Sequence, residues 1–285
     1  MDRQAWTGAR GKRVILTGGT GGIGLAAARQ LVELGAELTI VGRSTERAEQ
    51  ARAKIPCPVD VLIADLSSQR EVRALAREIL QRYPRVDVLI NNAGAMFASR
   101  RVSVDGIELT WATNHLAAFL LTNLLLERLI VSAPARVITT ASAAHYRARI
   151  PFDDVQAERS YGRVGFERYG ETKLANILFT RELAARLAGT GVTANCFHPG
   201  FVGTGFNHNN GRVMRLGMFV ARLVARSPEK GAETLVWLAD SPEVTAASGA
   251  YFMDRRERRP SDAARDDEAA RRLWGISEQA TSVTH

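Results

Sequence analysis

The octapeptide "TGGTGGIG" (residues 17–24) follows the apolar run "RVILTG" (13–18) and opens a stretch in which Ile23, Ala27, Leu31 and Leu34 recur at helical spacing. A buried strand, a glycine-rich turn and an amphipathic helix in that order leave few folds open, because residues lacking Cβ are what permit so tight a reversal. Gly35 stands where a left-handed helix cap belongs. The alternation continues. "ELTIVG" (37–42), "PVDVLIA" (58–64), "VDVLINN" (86–92) and "ARVITTAS" (135–142) read as strands apolar on both faces. Helices are predicted over 45–54 and 68–82, the latter with Ser67 or Ser68 as N-cap, and over 112–132 and 166–188. "VTANCFHPG" (192–200) predicts a sixth strand and "GAYFM" (249–253) a seventh at the edge.

Strands linked through helices at this spacing require right-handed crossovers, so they lie parallel with helices on both faces. The expectation is an α/β, Rossmann-type, doubly wound parallel sheet of about seven strands. No break in composition marks a second domain. One domain is expected over 12–278, with a polar tail at 1–11, a flexible tail at 279–285, an insertion at 145–166 and a lid at 201–227.

The formal charge of +8 invites a nucleic-acid reading. The basic residues are scattered, however, and the densest run, "RRERRPSDAARDDEAARR" (255–272), interleaves acids with bases as a solvated helical face would. No nucleic-acid partner is expected. Cys57 and Cys196 fit neither a disulfide framework nor a CxxC metal site. His145, His198 and His208 lack a completing carboxylate at metal-ligand spacing, so no metal is expected either. With no signal-peptide pattern and no membrane span, the reading is a soluble, cytoplasmic protein.

A glycine run between strand and helix is the context of a dinucleotide-binding turn, where backbone and helix N-terminus approach a pyrophosphate. Two registers fit: Gly19, Gly21 and Gly24 match GxGxxG, while Gly18, Gly22 and Gly24 match TGxxxGxG. The end of the second strand chooses the dinucleotide. It reads Gly42-Arg43, with no acid to accept from a ribose hydroxyl. A guanidinium there suits a 2′-phosphate, so NADP(H) is favoured over NAD. Asp65, after the third strand, either meets the adenine edge or caps the next turn.

Tyr169 and Lys173 in "RYGETKLAN" (168–176) stand four residues apart on one helical face. Lowering a phenol pKa from near 10 to about 7 takes roughly 4 kcal/mol. One cation about 4 Å away, at an effective dielectric near 20, supplies about that much.

Taken together, "TGGTGGIG", "NNAG" (91–94), Asn114 in "TNHLAAFLLT", Ser142 in "TASAAH", "YGETK" and "HPGFVGT" (198–204) resemble the short-chain dehydrogenase/reductase family over residues 12–255. "DGIELTWATNHLAAFLLT" and "KLANILFTREL" are most similar to its retinol-dehydrogenase-like branch, in the style of a soluble bacterial carbonyl reductase. The resemblance implies a catalytic set of Asn114, Ser142, Tyr169 and Lys173. Tyr169 is then the acid/base, Lys173 contacts the nicotinamide ribose and lowers the phenol pKa, Ser142 polarises a carbonyl, and Asn114 holds a relay water. It also implies cofactor contacts from the glycine turn (Thr17, Gly18, Thr20, Gly22, Ile23 and Gly24) and from the next two strand ends (Arg43, Asp65 and Leu66). Further contacts are implied at Asn92, Ala93, Gly94, Tyr169 and Lys173, and in the sixth-strand loop at Pro199, Gly200, Val202 and Thr204.

This chain departs from the pattern in two places. Ala141 precedes Ser142, where a second serine is common, and 27 positions separate Ser142 from Tyr169, so the intervening segment must loop out.

Substrate contacts are expected outside the strand C-termini, at Met96, Phe97, Phe201, Phe206 and Met214, with Tyr146, Phe152, Tyr161 and Phe166 of the insertion as further candidates. Their character predicts an apolar pocket for a small lipophilic or aromatic ketone, aldehyde or alcohol. The alternative is a catalytically idle NADPH-binding sensor or scaffold. Family members often form dimers or tetramers through the two long helices, and monomers occur in this branch, so a homo-oligomer is an open expectation.

Overall fold

The computed structural model describes residues 6–202 and 225–283. Seven parallel strands follow the chain as β1 (Arg13–Thr17), β2 (Glu37–Gly42), β3 (Asp60–Ile63), β4 (Val88–Asn91), β5 (Ala135–Thr140), β6 (Val192–Phe197) and β7 (Tyr251–Met253). An eighth, β8 (Arg256–Glu257), turns back antiparallel on β7 through Asp254 and Arg255, both at positive φ. The order across the sheet is β3-β2-β1-β4-β5-β6-β7-β8. The direction of winding reverses between β1 and β4, where such a sheet takes its ligand.

Alternate residues of the central strands feed opposite layers, as a period of two requires. Ile15, Leu89 and Val137 point to one core with Phe119, Leu125, Phe179 and Trp274. Val14, Leu16, Val88, Ile90 and Ile138 point to the other with Ala27, Leu31, Leu235 and Leu238. The first core is covered by α3 (Gln69–Arg82), α5 (Ala117–Leu124) and α7 (Phe166–Arg186), and the second by α1 (Gly22–Glu33) and α8 (Pro228–Asp240). Ser44 and Ser68 cap α2 (Thr45–Arg52) and α3; of the two serines considered for α3, Ser68 takes the role.

Several expectations need correction. β3 is an edge strand: Asp60 and Ile63 are exposed, while Leu62 joins the first core and Val61 packs against the second. The helix expected over 112–132 is three pieces: α4 (Leu109–Trp111) runs into a π-helical turn at Ala112–Leu116, continues as α5, and restarts after Leu125 as α6 (Leu126–Val131). The 255–272 run divides among the β7–β8 turn, a 3₁₀ turn at Asp262–Arg265 and the start of α9 (Asp267–Thr281), so it is no single helical face.

The two tails are also ordered structure where described. Trp6 is buried and donates from Nε1 to the Asp240 carbonyl at 3.0 Å, and Ala9 N donates to Asp240 Oδ1 at 2.8 Å. The Arg136 guanidinium stacks 4.1 Å over the Trp6 ring while donating to the Leu238 and Ser241 carbonyls. One indole is enough to dock this polar segment, because an aromatic side chain buries more apolar surface than the flanking polar residues lose. At the other end α9 continues to Thr281 and Val283 is buried.

Candidate active site

The glycine turn chooses its register. Gly18 and Gly22 have φ of +69° and +50°, and a Cβ on Gly24 would lie 2.1 Å from the Gly18 carbonyl oxygen. Around Gly21 a Cβ would meet nothing within 4 Å. Gly19 is crowded as well, a Cβ there lying 2.7 Å from Ile40 Cγ2, but GxGxxG also needs the open Gly21, whereas all three glycines of TGxxxGxG, Gly18, Gly22 and Gly24, are constrained. α1 starts here with no side chain capping its first turn, so its free amides face outward beside a cradle that any Cβ would fill. That donor set fits a pyrophosphate.

Thr17 and Asn92 fasten this turn to β4. Thr17 Oγ1 donates to the Ile90 carbonyl (3.1 Å) and accepts from Asn92 N (3.0 Å) and Ala93 N (3.1 Å). Asn92 Nδ2 returns to the carbonyls of Thr17 (3.1 Å) and Gly18 (3.4 Å). Thr17, Leu66 and Ala93 then line a small cleft together with Asn91, Thr113 and Ala118. Thr113 escaped sequence reading because a lone threonine in an apolar helix carries no pattern.

At the end of β2, a Cβ on Gly42 would strike Thr20 Cγ2 at 2.4 Å. The missing side chain packs the glycine turn against this strand end, and the next residue, Arg43, is exposed beside it. Asp65 behaves as a turn cap: its Oδ1 accepts from Ser67 N (2.9 Å) and Ser67 Oγ (2.8 Å). Ile23 and Val202 meet at Gly231 of α8, where an added Cβ would lie 3.2 and 2.7 Å from their side chains. Gly200, at φ +83°, lies against Arg226. Thr204 falls outside the described residues.

The four catalytic candidates come from three places, the π-helical turn (Asn114), the end of β5 (Ser142) and α7 (Tyr169 and Lys173), that converge beyond the ends of β4 and β5. Lys173 is buried, and its ammonium donates to the Thr140 carbonyl at 2.9 Å, an acceptor it shares with Asn176 Nδ2. Burial pulls its pKa down to about 8. Its Nζ stands 5.5 Å from the centre of the Tyr169 ring. Ser142 accepts from Ala144 N (3.2 Å) at the start of the 3₁₀ turn Ala143–Arg147 and neighbours the Tyr169 phenol. Burial pushes the Tyr169 phenol up to about 12 and the Ser142 side chain opposes it. The expectation that one lysine brings the phenol near 7 is not met by the protein's own groups, because desolvation outweighs them.

Gly170 makes the convergence possible. A Cβ there would come within 2.9 Å of the Ala144 carbonyl oxygen, so only glycine lets α7 lie against the turn that carries Ser142. Asn114, inside the π-helical turn, clamps the chain after "NNAG": Oδ1 accepts from Ala95 N (2.7 Å), and Nδ2 donates to the Ala95 carbonyl (2.9 Å) and Thr172 Oγ1 (3.0 Å). Gly94 leaves room for it, since a Cβ there would lie 3.3 Å from Asn114 Oδ1 and 3.5 Å from Lys173 Nζ. A π-bulge re-aims a helical side chain in this way.

Beside Ser142, His145 is fully buried, with Nδ1 donating to the Ser142 carbonyl at 2.6 Å and Nε2 accepting from Ser261 N at 3.2 Å. Burial holds it below the usual histidine range and takes His198 down to about 4.

The chain is similar to known proteins. A family model described as short chain dehydrogenase fits residues 12–153. Human retinol dehydrogenase 14 is 43% identical over 293 residues, covering 94% of this chain and 85% of its own. The chain belongs to the short-chain dehydrogenase/reductase family. Within that family it lies in the retinol-dehydrogenase-like branch, and the activity class is oxidoreductase. DnrU of Streptomyces sp. (strain C5), a candidate daunorubicin C-13 ketoreductase, is 40% identical over 97% of this chain and 95% of its own. A short chain dehydrogenase from Burkholderia cenocepacia, solved in complex with NADP, superposes with a TM-score of 0.68 at 25% identity over 86% of this chain and 96% of its own. No described helix is long and apolar enough to cross a membrane.

On the substrate side the expectations divide. Met96 and Phe97 are buried, and Phe97 lies under the Arg101 guanidinium. Phe201 is 53% exposed at the rim, its carbonyl accepting from Arg226 N at 2.8 Å. Arg226 in turn pairs with Asp254 of the β7–β8 turn. Phe206 and Met214, with residues 203–224 of the lid expected over 201–227, fall outside the described residues. Of the insertion, Tyr146 and Phe166 are exposed, while the Tyr161 hydroxyl turns inward. Arg168 and Glu108, both buried and paired at 2.7 Å, were invisible in the sequence, since nothing local links residues sixty apart.

Proposed function

We propose that this family member is an NADP(H)-dependent reductase that interconverts a lipophilic or aromatic ketone or aldehyde with its alcohol. The observation that carries this reading is the placement of Ser142 next to Tyr169, with the buried Lys173 ammonium 5.5 Å from the phenol ring centre. Two hydroxyls there can donate to one carbonyl oxygen as negative charge develops on it, and electrostatic stabilisation of that kind supplies several kcal/mol. Tyr169 delivers the proton. Lys173 stabilises the phenolate that remains, and Asn114 keeps the neighbouring backbone in place through Ala95. When bound, the nicotinamide supplies the hydride, and its oxidised form adds a positive charge that lowers the phenol further. The dinucleotide would be held by the Gly18–Gly24 turn, Thr17 and Asn92, with Arg43 on the 2′-phosphate.

Support for NADP comes from the exposed guanidinium and the missing acid at the end of β2. Support for a lipophilic carbonyl comes from the rim aromatics Phe166 and Phe201 and from the printed names of retinol dehydrogenase 14 and DnrU. The test follows NADPH oxidation, with NADH as control, over ketones and aldehydes of graded size. Tyr169→Phe should lose turnover by about 1,000-fold or more while keeping NADPH affinity. NADPH binding with no oxidation anywhere on the panel would favour a sensor or scaffold instead.

A further inference from the structure

We propose that Arg168 and Glu108 are positioning residues which hold Tyr169, the Asn114 turn and the inserted loop in one register. This deepens the reading above, since it rests on Tyr169 being the acid/base.

The two side chains are buried at 1% and 0% exposure and stand outside the catalytic set. Arg168 directs each arm of its fork to a different place. Nε donates to Glu108 Oε2 at 2.7 Å, one terminal nitrogen to Glu171 Oε2 at 2.9 Å, and the other to the Val155 carbonyl at 2.5 Å. Its plane also lies 4.7 Å from the Trp111 ring. Glu108 accepts from the amides of Thr110 and Trp111, both at 2.8 Å, and from the Tyr161 hydroxyl at 3.3 Å. Its own amide donates to Gln156 Oε1 at 2.8 Å. The Tyr161 hydroxyl reaches the Phe97 carbonyl at 3.0 Å, and a Cβ on Gly165, four residues before Tyr169, would overlap that same oxygen.

One ion pair therefore touches every part that must be in place at once. Arg168 immediately precedes Tyr169. Trp111 immediately precedes the π-helical turn that carries Asn114. Val155, Gln156 and Tyr161 belong to the insertion, and Phe97 to the loop after "NNAG". A buried ion pair is a poor device for stability, because well-packed apolar residues of similar volume are often as stable or more so. What it offers is direction: a planar fork fixes several partners at set angles, which an apolar contact does not. Glu171 and Asp154 are the remaining charges facing this cluster, and Arg168 opposes the rise that burial imposes on the Glu171 carboxyl.

The test compares Arg168→Lys, Tyr161→Phe and the apolar double variant Arg168→Met/Glu108→Leu with the parent. Melting temperature, NADPH affinity, kcat and KM for a small and a bulky carbonyl, and the pH–rate profile are measured for each. A misplacement of about 1 Å can cost roughly 100-fold. The double variant should therefore keep its fold and its NADPH affinity, lose kcat by about that factor, and shift both the pH–rate limb of Tyr169 and the ratio of KM values. A folded double variant with parental kcat, pH profile and KM ratio would overturn the proposal. If it fails to fold, Arg168→Lys and Tyr161→Phe decide: each should lower kcat severalfold at constant NADPH affinity, and parental profiles in both would overturn it. Should the parent turn over no carbonyl, the ultraviolet titration of Tyr169, read as the difference from Tyr169→Phe with NADP bound, still decides. An altered midpoint in Arg168→Lys supports positioning and an identical one refutes it.

Discussion

Lys173 and Tyr169 are held apart as well as together: the ammonium stands 5.5 Å from the phenol ring centre because it is tethered to the Thr140 carbonyl at 2.9 Å. Its position is set by β5, not by its partner on α7. The ammonium is therefore a buried charge with one protein acceptor, which is costly. Its pKa falls from 10.5 to about 8, a difference worth about 3 kcal/mol against the folded state. Lys173→Met should remove that cost, and the Thr140 carbonyl keeps Asn176 as donor. We expect activity to vanish and melting temperature at pH 7 to rise by a few degrees. The sign with pH is fixed. Between about pH 8 and 10.5 the unfolded chain still holds the lysine proton that the folded chain has released, so folding gains stability as pH rises. The gap between variant and parent should thus be widest below pH 8 and close towards pH 10.5 in denaturant titrations. A constant gap would contradict it.

Gly170 tests the convergence of Ser142 with Tyr169. Alanine is otherwise the better helix former by about 1 kcal/mol, so Gly170→Ala would stabilise an unconstrained helix. Here its Cβ would press on the Ala144 carbonyl oxygen at 2.9 Å. The expected outcome is a lower melting temperature and a loss of kcat of about 10-fold or more, with NADPH affinity nearly unchanged. Fluorescence titration of NADPH beside steady-state kinetics checks it.

The glycine register gives a third test. Gly18→Ala sets a methyl 2.9 Å from Ala93 Cα at a φ of +69° and should abolish dinucleotide binding, whereas Gly21→Ala, facing open space, should retain it within a few-fold. The reverse order of effects would restore the GxGxxG reading.

On the proposed reading, Arg43 selects the dinucleotide. A hydrogen bond to a charged partner contributes about 1.5–3 kcal/mol, so Arg43→Ala should weaken NADPH binding by about 10- to 100-fold and leave NADH unchanged. Calorimetric titration of both dinucleotides measures the ratio directly, and equal losses for the two would count against a 2′-phosphate contact.

Much of the fold and most of the candidate site could be read from the sequence, for identifiable reasons. Buried parallel strands are uniformly apolar, which made β1, β2, β4, β5 and β6 plain. β3 misled because an edge strand keeps the same β-forming residues while leaving its end residues Asp60 and Ile63 in solvent. The helix over 112–132 read as continuous because its apolar content is unbroken, yet Asn114 needs an extra backbone residue in the turn to face Ala95. Ser142, Tyr169 and Lys173 were legible because chemistry restricts them to few residue types. Arg168 and Glu108 were not, since a long-range ion pair leaves no periodicity. Trp6 was overlooked for the opposite reason: a single aromatic in a polar segment changes no average.

One consequence concerns the order in which this protein is made. α9 lies across α5 and α7, with Trp274 packed on Phe119 and Phe179 at ring-centre distances of 4.9 and 5.9 Å. Ser277 takes a hydrogen bond from His115, the neighbour of Asn114, at 2.8 Å. The glycine turn and β1 to β4 leave the ribosome early, but the floor beneath Asn114 is supplied by residues 267–281. At roughly 5–20 residues per second of synthesis, the nascent chain carries the glycine turn and β1 to β4 for about 10–35 seconds before the helix that seats Asn114 emerges.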